Sequence, residues 1–463
     1  MFKIKFFFAF LLFATSLNAQ CWDKVYCGSM HTIVLNQNKE VRTWGDNSNG
    51  QLGTWQVGDS PNPVKIDSDS TLFWNKIDSD GNNVVGILDN GTMWSWGLNN
   101  NGQLGSGQSQ YFQATPTQIG YEKDWHFVSM GVHHALALKE DNSIWGWGRN
   151  YEAEMGTLIK GFFNAPIQIG SEQNWITVSA GYNFGIAIKS DSTLWGLSLA
   201  FYANKWDPNL NYPPIKLDST HNWKSIAAGW GHFLAIQHDG SLWAWGGNHF
   251  GETGIPSPVE GDSIPNVSPV NSGNDWKIVS AGFNYSLGLK TNGTLWAWGR
   301  NDEGQLGIGL KGNKVPYPVQ VGQDTNWTQI SAGLLHAMAL KSDGTMWAWG
   351  NNTYGQLGTG DYIDHAAPVQ LKCPETMNAE PFIPNDSFNI YPSITTQLIN
   401  VNIEGNTSTK TPYLILNGQG TVVFPTQTLN PENVIDVSSL TPGVYFLQLQ
   451  LENQRVTRKF AKM

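Results

Sequence analysis

The chain has 463 residues, enough for more than one domain and a large buried core. Only 14% of them are charged, against 50 Gly and 22 Trp, a composition suited to short strands, tight turns and aromatic packing and not to helical bundles. The formal charge of −10, with no Lys/Arg cluster, argues against nucleic acid or an anionic membrane as a partner.

Residues 1–19 have the form of an export signal. Lys3 and Lys5 precede the apolar run Phe6–Ala14, and Ala19 is the small residue before the expected cut. The run is too short to span a bilayer as a lasting helix. Gln20 spoils a lipoprotein cleavage site at Cys21, and no later segment is apolar enough to be transmembrane. A soluble mature chain starting near Gln20 is expected.

Residues 20–371 then repeat with a period near fifty. The Trp-Gly pair falls at Trp44, Trp96, Trp147, Trp245, Trp298 and Trp349, and a worn copy, Thr193–Ser198, fills the double-length gap. Seven units of four short strands predict a seven-bladed β-propeller. In Asp275–Gly299 a first strand ends in small residues where blades crowd the axis, and Ser286–Lys290 alternates. Asn292-Gly293 then predicts a two-residue primed hairpin with positive φ at both positions. Pro318–Val321 closes the blade. One tryptophan opens each unit and two more share a face of the third strand, so these indoles are expected to pack between blades. Asn47 and its equivalents shape the loop that follows.

The pattern AGxxHxxAL…DGTLWAWGxNxxGQLG resembles the repeat of the regulator of chromosome condensation family, whose members are seven-bladed propellers. Unit four departs from it at Leu197, and unit three carries Ala153–Gly156 in place of GQLG. In a closed ring, Cys373 follows the last blade where the first, opening Cys21-Trp22, begins. A Cys21–Cys373 disulfide at the seam is therefore expected. Cys27 occupies the small slot held elsewhere by Ala180, Ala228, Ala281 and Ala332, and is expected to be a buried free thiol.

Residues 372–386 form a Pro-rich linker, and 387–463 change character to alternating strands that suit a small β-sandwich. This segment resembles the C-terminal sorting domain of the type IX secretion system. The shared words contain Tyr391 and Pro392, Gly418, Gly443 and Tyr445, and the terminal Lys459, Phe460 and Lys462. The resemblance implies handling by the type IX secretion machinery and a secreted or outer-surface location in a Gram-negative cell.

No catalytic signature is readable, and nothing in the pattern calls for a cofactor. Asp46–Gly50 has a faint look of a calcium loop, but Val57 stands where its terminal acid belongs. His31, His134, His232 and His336 recur three residues after an inner glycine. Val84, Phe184 and Tyr285 take that slot in units two, four and six, so a structural role is favoured over a metal. First turns and third-strand loops share one end of a four-strand meander. Trp55, Trp206 and Trp230 break the repeat there, with Tyr182, Phe201, Tyr202, Phe250 and Phe283. This aromatic face is the expected contact site for an extracellular protein or glycan, on a monomeric, non-catalytic binding propeller. Guanine-nucleotide exchange, as in eukaryotic relatives, and a polysaccharide-acting enzyme are the alternatives.

Overall fold

A computed structural model describes residues 21–55, 57–66, 73–157, 159–198, 214–218, 222–256 and 263–372, and in the C-terminal unit 389–391, 394–395, 397–402, 411–417, 422–429, 434–451 and 454–462. The chain divides into two compact units, Met1–Cys373 and Pro374–Met463. The first holds seven four-stranded antiparallel sheets, each built from four consecutive strands. These are the blades. Blade 6 is representative, with strands Trp276–Ala281, Tyr285–Lys290, Leu295–Gly299 and Val315–Gln320, the last starting three residues before the run expected from sequence.

The repeat tryptophans bind the blades together. The opening indole of blade 6, Trp276, meets both third-strand indoles, Trp296 at 6.1 Å and Trp298 at 5.7 Å. The inner of the two is buried and, in blades 1, 2, 3, 6 and 7, donates its Nε1–H to the loop of the preceding blade. Trp298 reaches Glu252 O at 2.9 Å, Trp349 reaches Gln305 O at 2.9 Å, and Trp44 closes the ring on Gln356 O at 2.9 Å. Burying an indole this way also satisfies its one polar atom. The outer indole is half-buried and is served locally: Trp296 Nε1–H donates to Thr294 Oγ1, which donates to Asn292 Oδ1.

That last chain corrects the hairpin expected from sequence. Gly293 has a φ of +78°, but Asn292 is not in the left-handed region. Gly293 N–H bonds Lys290 O at 3.0 Å and Lys290 N–H bonds Thr294 O at 3.1 Å, a three-residue loop with a type I turn and a glycine bulge. Asn292 is spent on anchoring Thr294 with its side chain, not on a positive φ.

A lysine ends the second strand in several blades and lies between the opening and outer indoles. Lys341 Nζ is 4.5 Å from the Trp327 ring and 3.9 Å from Trp347, with Asp324 at 2.8 Å. Lys139, Lys189 and Lys290 repeat the arrangement. These cation–π contacts cover the outer indoles.

The C-terminal unit has a three-stranded and a five-stranded sheet. Ile399, Val401 and Ile435 from one and Tyr413, Ile415, Leu447, Leu449 and Phe460 from the other share one core, as a sandwich requires. Tyr445 stacks on Phe460 with ring centroids 5.6 Å apart and donates its hydroxyl to Thr441 O. These two motif residues are thus core side chains. Gly443 pairs with Lys462 and Phe446 with Lys459 in strand register, and Tyr391 pairs with Asn400. Pro392 and Gly418 lie outside the described residues.

Candidate binding face and axial channel

The first turn of each blade begins with an inner glycine beside the channel. A Cβ on Gly333 would lie 2.5 Å from His336 Cε1 and 2.6 Å from Gly28 O of the next blade; Gly131, Gly229 and Gly282 are confined in the same way. The imidazole three residues on folds over the glycine, and the next blade's carbonyl closes the other side. His31, His134, His232 and His336 are fully buried, and burial pushes each imidazole down to about 3. They are therefore neutral at ordinary pH. Thr32 Oγ1 lies 3.0 Å from His336 Nε2, Ser79 Oγ 2.9 Å from His31 and Ser286 Oγ 2.8 Å from His232, so three of them tie neighbouring blades. Among the described residues no group of His, Cys, Asp and Glu could hold a metal.

Blade 2 breaks this rule, and the strand register corrects the sequence alignment there. Asn83, not Val84, pairs with the glycine after Trp96 and occupies the histidine slot. Asp80 then stands where other blades have the inner glycine. A small Asn83 leaves it room. With Asp78 it lines an axial cavity of about 170 Å³, together with Ser129, Ser179, Ser280 and Ser331. The serines bridge blades: Ser280 Oγ accepts Ala332 N–H at 3.0 Å and Ser331 Oγ accepts Cys27 N–H at 2.9 Å. Asp78 makes the same bridge, accepting Met130 N–H at 2.7 Å. Burial raises both carboxyls, and Asp80, further raised by Asp78, reaches about 7.

Cys27 follows the small-slot expectation. It is buried and free, and burial pushes its thiol up to about 12. Cys21 is disulfide-bonded. Cys373 lies outside the described residues.

The residue after the inner glycine stands at the mouth of this cavity. In blades 4, 5 and 6 it is Tyr182, Trp230 and Phe283. Tyr182 stacks on Trp230 at 4.1 Å and 12°, and Phe283 meets Trp230 nearly edge-on at 4.6 Å and 72°. His133 extends the row to blade 3, 5.3 Å from Tyr182. At the other end Arg300 lies 5.3 Å from Phe283 and 5.4 Å from Phe250, with Asp302 at 2.7 Å. All four of these expected aromatics are half-buried. Trp55 stands apart, half-buried with a φ of +56° and its N–H bonded to Ala114 O of blade 2. Phe201, Tyr202 and Trp206 lie outside the described residues.

His133, Arg149 and Arg300 were not singled out from sequence. Arg149 bonds Glu154 at 2.7 Å and Asn183 Oδ1 at 2.9 Å, beneath the Tyr182 end of the row. The signal was there: the position after Trp-Gly varies while its neighbours repeat, and it is Arg in blades 3 and 6.

Matches to known proteins agree with this architecture. Models of the regulator of chromosome condensation (RCC1) repeat match residues 90–138, 292–340 and 343–381, and a second model of the same repeat matches 22–51, 125–153, 223–252, 276–305 and 327–356. The secretion system C-terminal sorting domain matches 389–463. The chain is an RCC1-repeat propeller carrying a secretion sorting domain. Such a domain implies export. The ultraviolet-B receptor UVR8 of Arabidopsis thaliana is 27% identical over 357 residues, 76% of this chain and 70% of its own length. Human regulator of chromosome condensation is 23% identical over 350 residues, 74% of this chain and 75% of its own. Among solved structures, Prp20p of Saccharomyces cerevisiae superposes with a TM-score of 0.66 at 20% identity, covering 75% of this chain and 87% of that one. At that identity the likeness is one of fold.

Proposed function

We propose that this RCC1-repeat protein is a secreted or outer-surface binding module, exported by the type IX machinery of a Gram-negative bacterium, that holds a protein partner on its aromatic row. One observation carries the reading: Tyr182, Trp230 and Phe283 fill the same repeat slot in three successive blades and remain half-buried, where the opening and inner indoles of the repeat are buried. Pre-packed aromatic rims on a rigid scaffold suit hot spots because their side-chain entropy is already spent.

A protein ligand fits better than a glycan. Sugars stack on an open aromatic face, and Trp230 has Tyr182 against one face and Phe283 close beside it. What it offers is edge and rim. Nucleotide exchange is not favoured, since it needs a cytosolic or nuclear GTPase and the sorting domain directs the chain outward.

The test is capture of partners on the immobilised propeller from surface and culture fractions of the organism that makes it. Tyr182→Ala with Trp230→Ala should abolish the specific partner while leaving the melting temperature within a few degrees. A folded double variant that keeps every wild-type partner would refute the reading.

A further inference from the structure

Blade 5 lacks two side chains at the foot of the aromatic row. In six blades the loop after Trp-Gly carries a buried Gln or Glu whose oxygen accepts the N–H two residues before it, as Gln51 does from Asn49 at 2.8 Å and Glu252 from Phe250 at 2.7 Å. In blades 1, 3 and 7 the other end of that side chain turns to the residue just after Trp-Gly. Gln51 Nε2 donates to Asp46 at 2.7 Å, Gln356 Nε2 to Asn351 at 2.7 Å, and Glu154 receives Arg149 at 2.7 Å. In blade 5 that residue is Gly247. Glu252 Oε1 lies 3.5 Å from where a Cβ on Gly247 would sit.

The neighbouring Gly231, which follows Trp230 and bonds Gly247 through its carbonyl, also lacks a side chain; a Cβ there would meet nothing within 4 Å. Blades 1, 3, 6 and 7 carry Met30, His133, Asn284 and Leu335 at that position. The result is a notch floored by Glu252, a residue 2% exposed. Burial raises the Glu252 carboxyl, and among the described residues the exposed His249 is the one basic group that bears on it. Arg300, over Phe250, is already matched by Asp302.

We infer that this notch receives the guanidinium of an arginine from the protein partner that docks on the row. The inference rests on the proposed binding face and adds its chemistry. Blade 3 makes the same pair internally, Arg149 on Glu154, and blade 5 presents the acid without the base. A guanidinium suits the place because it is weakly hydrated for a cation and packs flat against the neighbouring aromatics.

The probe is N-acetyl-arginine amide against its neutral isostere N-acetyl-citrulline amide, followed by saturation-transfer NMR on the whole mature protein. Arginine should bind at least tenfold better than citrulline. Glu252→Gln should erase that preference, and so should Gly247→Arg, whose own side chain fills the notch; Gly247 has a φ open to L residues. A Cβ on Gly247 would lie 3.2 Å from Gly231 O, so Gly247→Arg should melt within a few degrees of wild type, which shows that the loss is not misfolding. Equal binding of the two probes, or a preference that survives Glu252→Gln, overturns the inference. A captured partner lost with Trp230→Ala but unaffected by Glu252→Gln and Gly247→Arg would overturn the notch and leave the face standing. An arginine preference that depends on Glu252, with partners indifferent to Trp230→Ala, would do the reverse.

Discussion

Trp298 and Trp230 belong to adjacent blades and have opposite environments. Trp298 is fully buried, T-packed on Trp276 and hydrogen-bonded to the previous blade. Trp230 is half-buried and leans on aromatics that are themselves at the rim. The repeat assigns the first to structure; on the proposed reading, departure from the repeat frees the second for contact. In a propeller, position within the unit separates the two roles better than residue type does.

The sharpest way to break the contrast is Trp298→Ala. Removing a buried indole and its inter-blade bond should cost about 3–5 kcal/mol, read by denaturant unfolding. Trp230→Ala should cost far less. Equal losses would abolish the distinction. Next is the seam, where the repeat meets itself. With Cys27 free, we expect Cys373 to be the partner of Cys21, and Cys21→Ser to cost about 2–5 kcal/mol. Peptide mapping that finds Cys21 joined to anything else would refute the pairing.

Asp80 gives a smaller, pH-dependent effect. Its folded carboxyl is raised to about 7 from 3.8, so the native state is favoured below the unfolded value and loses that advantage as pH climbs from about 4 to 7. Asp80→Asn should therefore match wild type at pH 4 and exceed it at pH 8, by on the order of 1–2 kcal/mol because Asp80 keeps part of its surface exposed. A constant difference across that range would show that Asp80 does not titrate there. The mildest is Lys341→Met, which should cost up to about 1 kcal/mol by uncovering Trp347 and breaking the contact with Asp324. An unchanged melting curve would assign the lysine to solubility alone.

The blades and the meeting of Tyr182, Trp230 and Phe283 were legible because both are written as periodicity. Trp-Gly at fixed intervals gave the blade count, and Trp230, Phe283 and Tyr182 stood out as aromatics in a slot where other units have Ser29, Gly81 or Val132. What was not legible depended on geometry without period. Asn83 was misplaced by one residue because Asp80 hid the inner glycine used for alignment. The hairpin type was misjudged because Asn292 had a second use for its side chain. The Lys341 sandwich needed three strands brought together, and the blade 5 notch shows only when the missing side chains of Gly231 and Gly247 are seen above Glu252.

Because every blade is made of consecutive strands, no strand is lent across the seam. The start and finish of the ring are then a matter of where the gene happens to be cut. New ends placed in the connection between blades 6 and 7, with the present ones joined, should yield a circular permutant that still assembles.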